Sequence, residues 1–157
     1  LMVGVNQIGD DNASTVTQSA NFGLVTVDQI GDNLTSSVTQ TGRANSSVAD
    51  VDQAGSFNTS TILQDAPTPA NGGPGREMTA LVDQSGTGNT SQISQTNTQG
   101  PPDISGNLAN VTQSGSLNFS DIMQDGHENT ATVVQEGLDS DSFVTQTGDE
   151  NTATVNQ

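Results

Sequence analysis

The chain has 157 residues, 18 acidic side chains against 2 basic ones, a single His and a formal charge of −16 at pH 7. Hydrophobic residues make up 29% and aromatic ones 3%, with no Tyr, Trp or Cys. The composition therefore allows one small domain at most, with no disulfide framework, zinc finger or thiol chemistry. So little large apolar volume files a chain with disordered proteins unless a regular pattern supplies the cohesion. Charge disfavours nucleic acid and anionic membranes as partners, because only Arg43 and Arg76 could replace counterions. No apolar run is long enough to enter a bilayer. Leu1 opens no charged and apolar leader, so the sequence reads as a mature chain or a fragment.

A pattern does exist, and it runs the length of the chain. The first element carries Val5 and Gln7, then Gly9 and Asn12, and the next closes on Val16 and Gln18, 11 residues after Gln7. Val27 and Gln29 follow, then Val38 and Gln40, each pair two residues apart. After a longer step come Val51 and Gln53, then Ile62 and Gln64. A first insertion, at about 66–77, precedes Val82 and Gln84, then Ile93 and Gln95; a second, at about 97–106, precedes Val111 and Gln113. The two insertions hold all five prolines and read as surface loops. The series closes with Ile122 and Gln124, Val133 and Gln135, Val144 and Gln146, and Val155 and Gln157. Glycine usually stands two residues after each Gln, and Asn stands five after at Asn12, Asn45, Asn58, Asn89, Asn118, Asn129 and Asn151. The unit is V-x-Q-x-G-x-x-N-x-[S/A]-x.

A small residue, Val or Ile, and Gln at alternate positions make one face of a β-strand, since strand side chains alternate with period two. The residues between them, such as Thr15 and Thr17 or Thr26 and Asp28, make a wet opposite face. Gly-x-x-Asn supplies the turn, because both residues tolerate positive φ and Asn bonds nearby backbone. Each unit is thus a strand and a turn. All three long intervals begin at Gln40, Gln64 and Gln95, the even members of the series, while intervals from odd members are always 11 residues. Alternate turns are therefore unequal, which fits a rung of two strands and about 22 residues, with one tight edge and one edge that accepts insertions.

The fold expected is an all-β solenoid of about 6.5 two-stranded rungs over residues 1–157, its strands stacked parallel and in register, with uncapped ends and a cross-β fibre as the assembled form. Stacking places Val and Ile in a core column, and Gln over Gln. An amide above its twin donates one way and accepts the other, so repetition satisfies buried groups that one rung could not. The series ends on a half rung: either the chain is cut short there or neighbouring subunits share a rung.

Gln7-x-Gly9-x-x-Asn12-x-Ser14-x-Val16-x-Gln18 resembles a curlin repeat, Q-x-G-x-x-N-x-A-x3-Q, and the match recurs at Gln53 to Gln64, Gln84 to Gln95 and Gln113 to Gln124. Ser stands where the family usually has Ala, Leu34 takes a turn Asn position and Ser140 another, and of the serines that open family repeats only Ser47 remains. The resemblance implies a structural subunit of a curli-like functional amyloid, extracellular, active in biofilm matrix and adhesion. It also implies a nucleator paralogue and an outer-membrane secretion channel as partners, besides self-association into a homopolymer.

The residues expected to carry assembly are the thirteen glutamines, with the seven turn asparagines and thirteen core Val and Ile residues named above. No cofactor or metal is expected. The acidic turns Asp10-Asp11, His127-Glu128 and Asp149-Glu150 read as solvated turns sooner than calcium ligands. His127 lacks a Ser or Cys partner that sequence can identify, and no enzyme motif is found. The alternative is a monomeric extracellular solenoid that binds a ligand, of the adhesin or ice-binding type. The irregular outward pairs, Thr15/Thr17 against Thr61/Leu63 and Asp121/Met123, disfavour ice.

Overall fold

The computed structural model describes residues 1–19, 22–42, 46–66, 77–97 and 106–157. The described residues form strands and turns with no helix, hence none long and apolar enough to cross a membrane. In chain order the strands are β1 (Met2–Ile8), β2 (Ala13–Gln18), β3 (Leu24–Asp32), β4 (Thr35–Gly42), β5 (Val48–Ser56), β6 (Thr59–Ala66) and β7 (Thr79–Thr87). They continue as β8 (Thr90–Thr96), β9 (Leu108–Ser116), β10 (Phe119–Asp125), β11 (Thr130–Leu138), β12 (Asp141–Thr147) and β13 (Thr152–Asn156).

Odd and even strands separate completely. One sheet runs β1-β3-β5-β7-β9-β11-β13 and the other β2-β4-β6-β8-β10-β12, every neighbouring pair parallel. The odd sheet pairs Val27 with Val51 and Gln29 with Gln53, the even sheet Ile62 with Ile93 and Gln64 with Gln95. A one-residue slip would turn every Val and Gln outward, so the hydrophobic alternation holds this register. The result is the open, parallel, in-register solenoid that the repeat implies.

The core lies between the sheets. Val27, Val51, Val82, Val111 and Val133 from the odd sheet meet Val38, Ile62, Ile93, Ile122 and Val144 from the even one, all buried. Val16 and Val155 are partly buried against them, whereas Val5 is 46% exposed in the first strand. Each fully buried Val or Ile contributes roughly 1.5–3 kcal/mol as an upper estimate. The outward faces carry mainly Thr, Ser and Asp.

The turns differ from expectation in one respect. Glycine does take positive φ, at Gly9, Gly31, Gly55, Gly86, Gly115 and Gly137 on the tight edge, but the repeat Asn does not. The second left-handed residue is the one before it: Asp11, Asn33, Phe57, Gly88, Leu117 and Asp139 on that edge, and Phe22, Ser46, Glu128 and Glu150 on the other. A bulky residue such as Phe57 or Leu117 is strained there by roughly 1–2 kcal/mol. Backbone bonds between stacked turns offset that cost, with Phe57 N–H donating to Asp32 O at 3.1 Å and Leu117 N–H to Thr87 O at 3.0 Å. Glycine is also required by close approach: a Cβ on Gly31, Gly55, Gly86 or Gly115 would sit 1.9 to 2.1 Å from the glycine carbonyl oxygen of the next rung. On the other edge Ala66 and Asn97 stand at glycine positions of the repeat and take no positive φ. Residues 67–76, 98–105 and Asn45 lie outside the described residues.

Candidate functional site

Because the strands stack in register, the glutamines meet in two columns. In the odd sheet Gln7 donates through Nε2 to Gln29 Oε1 at 2.6 Å, and Gln29 to Gln53, Gln53 to Gln84, Gln84 to Gln113 and Gln113 to Gln135 follow, each at 2.8 Å; Gln135 donates to Gln157 at 3.1 Å. In the even sheet the chain is Gln18 to Gln40 (2.6 Å), Gln40 to Gln64 (2.8 Å), Gln64 to Gln95 (2.9 Å), Gln95 to Gln124 (2.9 Å) and Gln124 to Gln146 (2.8 Å). Nine of these amides are 2% exposed or less, from Gln29 and Gln40 through to Gln135; Gln7 and Gln157, on the outermost odd strands, are exposed.

The second Nε2 hydrogen has a use that sequence reasoning missed. It crosses to a backbone carbonyl of the opposite sheet: Gln84 to Thr59 O (3.0 Å), Gln113 to Thr90 O (3.0 Å), Gln95 to Thr79 O (2.9 Å) and Gln124 to Leu108 O (2.9 Å). Each of the nine glutamines from Gln29 to Gln135 thus ties its rung to the next and its sheet to the other. A buried amide left unpaired would cost about 1–3 kcal/mol per group; here both hydrogens and the oxygen are engaged. Periodicity signals the first bond, but the second depends on which carbonyl faces the column across the sheets.

The asparagines do for the turns what glutamine does for the strands. On the tight edge Asn58 donates through Nδ2 to Ala54 O (2.9 Å) and Gly86 O (3.3 Å), and its Oδ1 accepts from Asn89 N–H at 2.9 Å. Asn89 and Asn118 repeat the pattern, and Asn12 Oδ1 accepts from Leu34 N–H at 3.0 Å. Asparagine is chosen for this bracing, not for tolerance of positive φ. On the other edge the column is Asn107, Asn129 and Asn151, with Asn129 N–H donating to Asn107 Oδ1 and Asn151 N–H to Asn129 Oδ1, both at 3.1 Å. Asn107 escaped the search for Asn five places after Gln because the second insertion displaces it; its place just before a strand was the available signal. Leu34, Ser47 and Met78 occupy equivalent buried positions.

Both ladders run one way, each donor lying N-terminal to its acceptor. The first even-sheet glutamine therefore has nothing below it: Gln18 Oε1 is buried and without a partner. At the other end Gln146 Nε2 donates to Thr130 O at 3.0 Å and keeps a second hydrogen. β1, β2, β12 and β13 each have one strand edge that no other described strand covers.

The model of the curlin associated repeat family matches residues 9–42, 105–137 and 118–148, about half of the chain. The chain belongs to the curlin-repeat family. No curated protein and no solved structure matches it. Family membership and the stacked all-β fold point to a structural protein of the curli type. His127 lies in ion-pair contact with Asp149 one rung away, and among the described residues no group of three His, Cys, Asp or Glu side chains is placed to hold a metal.

Proposed function

We propose that this curlin-repeat chain is the structural subunit of an extracellular curli-type amyloid fibre that serves biofilm matrix and adhesion. A further copy adds its strands in parallel register at the uncovered edges, continuing both glutamine ladders. The observation that carries the reading is the direction of those ladders. An unpartnered acceptor at Gln18 lies at the start of one copy and a spare donor at Gln146 at its end. With thirteen strands, β1 and β2 of the next copy follow β12 and β13, so that Gln146 donates to its Gln7 and Gln157 to its Gln18. The thirteen glutamines are then the residues that bind the next subunit or hold the register for it, with the turn asparagines and core Val and Ile columns continuing alongside. By its resemblance to curli subunits, the proposal includes an outer-membrane secretion channel and a nucleator paralogue as partners.

Purified chain held at micromolar concentration is expected to polymerise after a lag, to lose the lag when fragments of earlier product are added, and to diffract near 4.7 Å along the fibre. A chain that stays monomeric and folded under seeding overturns the proposal and favours the binding-module alternative. Gln18→Leu keeps the shape and removes the open acceptor. It also withdraws the donor from buried Gln40 Oε1, so it is expected to slow seeded elongation several-fold and to cost the soluble chain about 1–3 kcal/mol.

A further inference from the structure

Apart from the ladders, the outer face of the odd sheet carries an arrangement found nowhere on the even one. Register places Asn6 beside Asp28, Asp28 beside Asp52, and Asp52 beside Asp83, on β1, β3, β5 and β7 in turn. Strands in a sheet lie about 4.8 Å apart, and the buried Val and Gln on the other face prevent a slip that would separate these carboxylates. On the even sheet no acidic residue pairs with another: Asp121 has Gln92 on one side and Phe143 on the other, and Asp65 and Asp125 flank Thr96.

The column lies on the outer face, with Asp52 and Asp83 exposed and Asp28 half-buried. Ala54, between Ile30 and Ser85 in the adjacent column, leaves a hollow of about 260 Å³ lined by Asn6, Ile30, Ala54 and all three carboxylates. Asp52 is at the centre. Facing it are Asp28 from β3 and Asp83 from β7, with Asp50 two residues away on its own strand; the column ends in Asn6 on β1 and Thr112 on β9. β1, β3, β5, β7 and β9 contain no Lys, Arg or His. Partial burial, and then the charges of Asp50, Asp28 and Asp83, hold the Asp52 carboxyl above its usual range.

We propose that the Asp28–Asp52–Asp83 column is a proton-responsive latch on the odd sheet, holding β3, β5 and β7 loosely when all three are ionised and tightly when the central one carries a proton. A protonated Asp52 ceases to repel its neighbours and can donate a hydrogen bond to the carboxylate beside it. The sign follows from linkage. A carboxyl whose folded pKa lies above its unfolded one contributes stability that is complete below the unfolded value and is lost as pH rises through the folded value. Acidification from neutral therefore tightens the stack locally, beyond what the overall negative charge accounts for.

The test compares the rise in urea midpoint of the folded, soluble chain between about pH 7 and about pH 4.5 in three proteins, monitored by β-sheet circular dichroism. Asp52→Asn removes the central titration, and Asn already stands in this column at Asn6. Asp121→Asn makes the same charge change outside any acidic column. Asp52→Asn is expected to raise the midpoint at neutral pH and to lose a large part of its rise on acidification, while Asp121→Asn keeps most of the wild-type rise. Equal slopes in the two variants overturn the latch and leave only net charge. Should Asp52→Asn not fold, Asp28→Asn and Asp83→Asn carry the comparison, each losing part of the rise. The readout needs no fibre, so its failure is distinct from failure of the assembly reading.

Discussion

The two sheets share a repeat, a register and a glutamine ladder, yet each carries a destabilising column in a different place. Inside the even sheet the small residue of every strand is serine: Ser14, Ser36, Ser60, Ser91, Ser120 and Ser142, each with a buried hydroxyl that has no hydrogen-bond partner. The equivalent positions of the odd sheet hold Val25, Ala49, Ala80, Ala109, Ala131 and Ala153, with no polar atom to satisfy. Outside, the odd sheet stacks carboxylate on carboxylate and the even sheet does not. One cost is independent of pH and the other responds to protons. The difference teaches that a repeat can be uniform where it builds the stack and divergent where it sets how firmly the stack holds.

The largest expected effect tests what the sheets have in common. Gln84→Glu in the odd sheet and Gln95→Glu in the even sheet each bury a carboxylate that cannot donate to the next glutamine or to the carbonyl opposite. Both are expected to cost more than about 3 kcal/mol and to abolish cooperative unfolding measured by circular dichroism. A sheet that tolerates the change does not depend on its ladder.

Gly86→Ala comes next. Its Cβ would lie 2.0 Å from Gly115 O, at φ 102°, and the stacked backbone cannot yield. A loss of about 2–3 kcal/mol in a urea titration is expected. Ala66, which ends β6 on the opposite edge, takes no positive φ at the equivalent position.

The smallest effect separates the sheets most directly. Ser91→Ala removes an orphaned hydroxyl and is expected to raise stability by about 1 kcal/mol, whereas Ala80→Ser lowers it by about 1–2 kcal/mol. Stabilisation by both, or by neither, would remove the interior half of the comparison.

Much of this was legible beforehand. V-x-Q repeated at a fixed stride identifies strands because only period-two geometry puts Val16 and Gln18 on one face. The insertions beginning after Gln40, Gln64 and Gln95 separate odd from even turns because a long loop fits only where the chain leaves the stack. The turn position of Leu34 was legible from the spacing, but the burial of Leu34 and of Met78 in the turn columns was not, since neither resembles Asn and an insertion disturbs the count before Met78. The left-handed residue before Asn was also hidden: Phe57 and Leu117 are poor candidates by propensity, and bonding to the stacked turn alone makes them tolerable. Alanine and serine do sort by strand parity in the sequence, but a hydroxyl's lack of a partner depends on what surrounds it.

By itself the sequence determined the strands, the pairing of like with like and the two sheets, because side-chain alternation and a constant stride admit one register that buries the repeat Val or Ile and Gln of every inner strand. Only the tertiary structure decided the rest: which carbonyl across the core takes each amide's second hydrogen, which hydroxyls go without, and which carboxylates crowd a common hollow. Those outcomes depend on distances between residues far apart in the chain, and a repeat fixes neighbours along the stack while leaving neighbours across it to packing.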